Sequence, residues 1–163
     1  MKVLIIADIH DDSEALKQAL LNHPSINFLV LLGDLGYYND QVFDMLNLFK
    51  DNIIAVKGNN DFFNTSLKFD NEKYYQTITI DNKKWFLTHG HRYNKSHLPD
   101  VNFDIYLQGH THYTMMEKED DKLYLNPGSI GLPRDGVKTY IYYENKTFYL
   151  ENIDKEVIKK VSI

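Results

Sequence analysis

The 163 residues contain no cysteine. Disulfides, thiolate nucleophiles and thiolate metal sites are therefore excluded together. The chain also lacks a basic patch. Its formal net charge is −5, and its two Lys-Lys pairs, Lys83–Lys84 and Lys159–Lys160, read as solvated charges of a turn and of the C-terminal tail. A protein that grips a nucleic-acid backbone normally carries such a patch, so strong nucleic-acid binding is not expected. No apolar run is long enough to cross a bilayer. The opening run of "MKVLIIADIH" is broken by Asp8 and is too short for a signal peptide or a membrane span. Internal repeats, low-complexity tracts and linkers are missing as well. These absences predict one soluble, cytoplasmic domain over residues 1–163. What is present fits a packed core, because 12 Tyr and 9 Phe accompany a hydrophobic content of 43%.

The first third alternates strand and helix. "KVLIIA" (2–7), "NFLVLL" (27–32) and "NIIAV" (52–56) are apolar runs of strand length. Between them lie two amphipathic helical patterns. Residues 12–23 place Ala15, Leu16, Ala19 and Leu20 on one face, with Asp12 or Ser13 as N-cap. Residues 40–50 do the same with Val42, Phe43, Leu46 and Phe49 behind an Asp40 cap. Such alternation predicts βαβ units and a parallel sheet. The remainder is rich in strands: a hairpin at 74–80 and 85–89, a strand at 103–108, and hairpins at 113–118 with 122–126 and 138–144 with 147–152. These are too many strands for one ordinary open sheet, so two packed sheets are expected.

The polar residues that end the apolar runs carry the chemistry. The first run ends in Asp8-Ile9-His10, the second in Gly33-Asp34 and the third in Gly58-Asn59. "WFLT" ends in His89-Gly90-His91, and "IYLQ" in Gly109-His110-Thr111-His112. Five of the seven histidines lie at these ends. Ligands of parallel α/β sheets sit outside the carboxyl ends of the strands, so all five ends can meet at one edge. Carboxylates, imidazoles and an amide oxygen suit Mn, Fe, Zn, Ni or Mg rather than soft metals. They are too many for one tetrahedral ion, whereas two ions sharing a carboxylate would use them well.

In this order, "DIH", "GDL", "GNND", "THGH" and "GHTH" resemble the motifs of the calcineurin-like metallophosphoesterases. The segment "NPGSIGLPRDG" (126–136) is similar to the small single-domain phosphodiesterase branch of that family, and to the retromer scaffold subunit that shares its fold. The resemblance implies a four-layer αββα sandwich, two mixed β-sheets flanked by helices. It implies one divalent ion on Asp8, His10, Asp34 and His112, and a second on Asp34, Asn59, His89 and His110. Mn is the metal expected first, with Ni, Zn, Fe and Mg as alternatives. A hydroxide bridging the two ions would then attack the phosphorus of a small phosphodiester in line with its leaving group.

One departure narrows the mechanism. Larger protein phosphatases and many nucleases of the family pair a His after the metal-binding Asn with an Asp three residues past the bridging Asp. Those positions hold Asn60 and Tyr37 here, and Tyr38 replaces the Arg that follows in the phosphatases. An amide cannot serve as a general acid. The expected substrate is therefore a diester with a good leaving group. His91 is the candidate catalytic residue, Asn60 and Arg134 are candidate substrate contacts, and Asp61 is expected to orient its neighbours. The stretch 61–69 could cover part of the site. Two other readings stay open, a protein-binding scaffold of the retromer-subunit kind and a small-molecule phosphomonoesterase. A homo-oligomer is left open too.

Overall fold

The computed structural model describes residues 1–62 and 64–163. β1 (Lys2–Ile6), α1 (Ser13–Asn22), β2 (Phe28–Leu31), α2 (Asp40–Asn47), a 3-10 turn (Lys50–Asn52) and β3 (Ile53–Ala55) form the βαβ half. Then come β4 (Tyr75–Ile80), β5 (Lys83–Thr88), β6 (Ile105–Leu107), β7 (Thr114–Glu119), β8 (Lys122–Pro127), β9 (Thr139–Glu144), β10 (Thr147–Asn152) and β11 (Val157–Ser162). The strands make two mixed sheets, in the orders β11-β10-β9-β1-β2-β3 and β4-β5-β6-β8-β7. In the first, β1, β2 and β3 run parallel. In the second, β5, β6 and β8 do.

β1 is apolar throughout because both its faces are covered. Val3 and Ile5 meet the second sheet through Trp85, Leu87, Ile105 and Leu125. Leu4 and Ile6 meet Leu16 and Ala19 of α1 and Val42 and Leu46 of α2. Trp85 is fully buried between the sheets, edge-on to Tyr143 at 4.9 Å and tilted against Phe148 at 5.0 Å. Trp85→Ala is expected to cost about 3–5 kcal/mol, by lost transfer energy and the cavity left behind, read from the midpoint of urea unfolding. A midpoint close to that of the unsubstituted protein would contradict this packing.

Three details differ from the sequence pattern. Asn39, not Asp40, caps α2, accepting from the Gln41 N–H at 3.1 Å. Asp40 is the first helical residue, where its charge complements the helix N-terminus. That helix also closes at Asn47 rather than running to residue 50, and the chain continues as the 3-10 turn. Finally, the tail forms β11, antiparallel to β10. It is an exposed edge strand whose paired lysines hide the apolar alternation, a usual device against edge-to-edge association. Lys159 reaches the second sheet and donates to the carbonyl of Met116 at 2.8 Å.

The helices cover the outer face of the first sheet. On the second sheet the outer aromatics Phe86, Tyr106 and Tyr124 pack under Tyr93, Leu98 and Val101. The fourth layer is thus loop, with no helix on that face among the described residues. No helix among the described residues is long and apolar enough to cross a membrane.

Candidate metal centre

The strand ends singled out in the sequence converge. Backbone hydrogen bonds lace them together: Asp8 N–H to Gly33 O at 3.1 Å, His10 N–H to Asp34 O at 3.1 Å, and Gly109 N–H to His89 O at 3.1 Å. The loops that make these contacts are strained. Asp8, His10, Asp34, His110 and His112 all have positive φ, between 46° and 67°. A residue with a Cβ pays of order 1–2 kcal/mol to sit there. Such strain persists where the surroundings enforce it, and it gathers at functional sites.

Asp8, His10, Asp34 and His112 bring four ligand atoms within 4.8 Å of one another. Within this group His112 Nε2 lies 3.2 Å from both Asp8 Oδ1 and His10 Nε2, and His10 Nε2 lies 3.6 Å from Asp34 Oδ2. A second group shares Asp34. His89 Nε2 lies 3.4 Å from Asp34 Oδ1 and 3.0 Å from the Asn59 side-chain oxygen. The His110 ring stands edge-on to His89 with centroids 5.0 Å apart. Its backbone N–H donates to Asp8 Oδ2 at 2.9 Å.

This donor set fits divalent cations. The Nδ1 of His89 faces the carbonyl of Leu32 at 2.7 Å, and the Nδ1 of His112 faces the carbonyl of Leu132 at 2.7 Å. A carbonyl only accepts, so each Nδ1 carries the proton, and each neutral ring presents a bare lone pair at Nε2. Those lone pairs confront the oxygens of Asn59, Asp34 and Asp8. Asp8 Oδ1 is buried and has no hydrogen-bond partner among the described residues. Acceptor facing acceptor is unfavourable without a positive charge between them. A proton is the minimal such charge. Accordingly the His112 pKa is raised, chiefly by its contact with Asp8, and that of His89 is raised by Asp34 and Asp8 despite its burial. Burial pushes the Asp34 pKa up, but His89 and Asn60 outweigh it and hold the carboxyl well below its ordinary range.

The other candidates sit around this centre. Asn60 donates to Asp34 twice, from its backbone N–H at 2.9 Å and from its side-chain amide at 2.7 Å. Asp61 is buried and accepts from the N–H groups of Asp34, Leu35 and Gly58 at 2.8–2.9 Å, so it fixes the turn on which Asn59 and Asn60 stand. His91 lies 5.3 Å from the His89 ring, and its buried Nδ1 has no partner among the described residues. Burial, then the neighbouring His89 and His110, pulls the His91 pKa down to about 4. It lines a cavity of about 400 Å³ with Gln108, His110 and Thr111. Arg134 is exposed, outside the cluster, but its backbone N–H donates to His112 O at 3.0 Å and its charge opposes protonation of His112. The expected cover over 61–69 includes Phe63, which lies outside the described residues.

Three supporting residues escape a sequence reading. The Asp11 carboxylate gathers the backbone N–H groups of Tyr37, Tyr38 and Asn39. Ser129 donates its hydroxyl to Asp8 O at 2.7 Å and accepts from Leu132 N–H at 2.8 Å. Asn126 donates to Gly109 O at 2.9 Å. Asn126 and Ser129 lie in the segment 126–136 that the sequence already singles out, at the polar end of an apolar strand pattern, but nothing there says which groups they hold.

Residues 1–147 match the calcineurin-like phosphoesterase superfamily domain. Phosphodiesterase YfcE of Escherichia coli is 29% identical over 181 aligned residues, covering 100% of this chain and 98% of that protein. Phosphodiesterase MJ0936 of Methanocaldococcus jannaschii is 30% identical over 155 residues, covering 84% of this chain and 92% of its own. Among solved structures, the E. coli phosphoesterase Yfce superposes with a TM-score of 0.90 at 28% identity, covering 100% of both chains. Vps29 of Entamoeba histolytica, complexed with zinc, superposes with a TM-score of 0.72 at 25% identity over 99% of both.

Proposed function

The chain belongs to the calcineurin-like phosphoesterase superfamily, and we propose that within it the protein is a metal-dependent phosphodiesterase, a single cytoplasmic domain acting on a small phosphodiester. The observation that carries this reading is the cluster of Asp8, His10, Asp34 and His112, whose four ligand atoms lie within 4.8 Å of one another, with His89 set between Asp34 and Asn59 beside it. A scaffold freed from catalysis has no need to keep seven competent side chains. In our assignment Asp8, His10, Asp34 and His112 hold one divalent ion, and Asp34, Asn59, His89 and His110 hold a second. Mn is the preferred metal, with Ni, Zn, Fe and Mg as alternatives.

Bound there, divalent cations draw charge from phosphoryl oxygens and make water a competent nucleophile at neutral pH. The chain's own residues do the rest. Asn59 supplies a neutral oxygen, which leaves more positive charge for the substrate than a carboxylate would. Asn60 can turn its amide from Asp34 towards a phosphoryl oxygen. Arg134, exposed and held by its backbone to His112, would meet the negative charge of the ester. His91, held neutral, offers a hydrogen bond to a substrate oxygen. None of these is a strong proton donor, which favours diesters whose leaving group departs without help. A monoester dianion asks for a stronger cationic grip. The chain has two arginines, and Arg92 lies over the Tyr74 ring at 3.8 Å.

The test is hydrolysis of an aryl phosphodiester and of the matching monoester by metal-stripped protein, with Mn, Ni, Mg and Zn added back in turn. The diester should be cleaved, faster than the monoester, and only with metal present. Bound metal without hydrolysis of either ester would overturn the enzyme reading. Asn60→Ala removes the side-chain donor to Asp34 and should lower kcat/KM for the diester by about 10–100-fold. An unchanged kcat/KM would remove Asn60 from the site's working parts.

A further inference from the structure

Tyr37 and Tyr38, which stand where charged residues would be expected, do not stand alone. The Tyr37 ring lies 5.3 Å from Phe62 and 5.8 Å from Tyr38, both inclined by less than 40°. Tyr38 is 89% exposed and Phe62 67%. Of the three largely exposed aromatic side chains among the described residues, these are two; the third is Tyr113. Clustered, exposed rings beside a site of phosphoryl chemistry require an explanation that a scattered apolar residue does not.

The patch is rigidly tied to the metal centre. Asp11 holds the N–H groups of Tyr37 and Tyr38 at 3.0 and 3.2 Å. Gly36 makes this possible, because its φ is +136° and a Cβ there would fall 2.1 Å from Asp11 Oδ1. Phe62 follows Asp61, whose carboxylate binds the N–H of Asp34 at 2.9 Å. Burial and then the charges of Asp34 and Asp61 raise the Tyr37 pKa, as expected for a ring close to those carboxylates. Tyr37 and Phe62 also wall a cavity of about 380 Å³ that includes Asn64, Thr65 and Ser66. Ser66 is anchored to α2 through Asn47, which donates to its carbonyl at 2.8 Å.

We propose that Tyr37, Tyr38 and Phe62 form a stacking subsite for the nucleobase of a nucleoside phosphodiester whose phosphate occupies the metal centre. Every base offers a π face, and aromatic side chains bind it without regard to sequence. The Asn64 side-chain oxygen accepts from Ser66 N–H at 2.8 Å, which leaves its NH2 group, with the hydroxyls of Thr65 and Ser66, for a base edge that a plain aryl group would leave unused. The acidic chain and the lack of a basic patch favour a single nucleotide ester over a polynucleotide. This inference rests on the phosphodiesterase reading above.

The test keeps the leaving group constant and varies the other ester arm. Three 4-nitrophenyl phosphodiesters are compared on the metal-loaded protein: the 5′-thymidine, the base-free 5′-deoxyribose and the methyl ester. The thymidine ester should show a kcat/KM about tenfold or more above the deoxyribose ester. Tyr37→Ala and Phe62→Leu should each bring that ratio close to one, and Tyr37→Phe should preserve it. Saturation-transfer NMR with thymidine 5′-monophosphate and metal-free protein gives a second readout. Base protons should receive magnetisation from the unsubstituted protein and lose it with Tyr37→Ala. A ratio near one in the unsubstituted protein, or a ratio that the variants leave unchanged, overturns the subsite. If no ester is cleaved with any metal, the phosphodiesterase reading fails, and the NMR comparison still decides on the subsite.

Discussion

Asp34→Asn is expected to abolish diester hydrolysis, by on the order of a thousandfold or more, while leaving the fold intact. Removing one preorganised charge-stabilising donor from an active site typically costs about 100–1,000-fold. Asp34 should exceed that, because both its oxygens are used. One lies 3.4 Å from His89 Nε2 and the other 3.6 Å from His10 Nε2, so the residue joins the two ligand groups. Asparagine keeps the shape but removes the charge and turns one oxygen into a donor. Under the proposed assignment, two cations would then lose their shared anion. Steady-state rates, metal content after dialysis and the near-ultraviolet circular dichroism of the variant check this together. A variant that folds and keeps kcat/KM within tenfold would show that Asp34 is not shared by bound metals.

Gly58→Ala should also be severe, through geometry rather than charge. A Cβ at Gly58 would fall 2.1 Å from Asp34 Oδ1 and 2.3 Å from Asp34 N. Neither atom can yield. The amide of Asp34 is held by Asp61, and the Gly58 N–H is held by the same carboxylate at 2.8 Å. Forcing a methyl into such a place costs about 1–3 kcal/mol. The displacement also moves Asp34 and Asn59, so metal retention should fall with stability. Urea unfolding and metal content should both drop. Stability and metal content both unchanged would mean that the turn has room the packing denies.

The positions of the chemistry were legible because they depend on short-range pattern. Apolar runs fix where strands end, and Asp8, Asp34, Asn59, His89 and His110 are polar residues just beyond those ends. Parallel pairing of β1, β2 and β3, and of β5 and β6, then carries these ends to one edge. What could not be read depends on contacts between distant residues. Asp11 caps a loop 26 residues away, and Ser129 supports Asp8 across 121 residues. Nothing local marks Asp11, and the polar end of a strand pattern that holds Ser129 does not say which backbone group it will support. β11 was hidden because an exposed edge strand shows no apolar alternation. That a loop rather than a helix covers the second sheet among the described residues has a similar cause. Residues 90–103 carry single apolar contacts such as Tyr93, Leu98 and Val101, and a loop covers aromatic rings with them as well as a helix would. The contact of the Tyr37 and Phe62 rings was likewise invisible, because 25 residues separate them and it takes distant carboxylates such as Asp61 and Asp11 to hold their loops.

The stretch "AVKGNND" shows how one turn serves several roles. Gly58 lets Asp34 approach, Asn59 faces His89, Asn60 holds Asp34, and Asp61 ties the turn down. The positive φ values at Asp8, His10, Asp34, His110 and His112 are the cost of aiming so many donors at one volume.

Whether hydrolysis depends on two ions sharing Asp34 is decided by titrating metal-stripped protein with Mn while following aryl diester hydrolysis. No hydrolysis is expected without metal, and the rate should reach its plateau only when two equivalents are bound. Hydrolysis by the stripped protein, a plateau at one equivalent, or two bound equivalents without hydrolysis would contradict this.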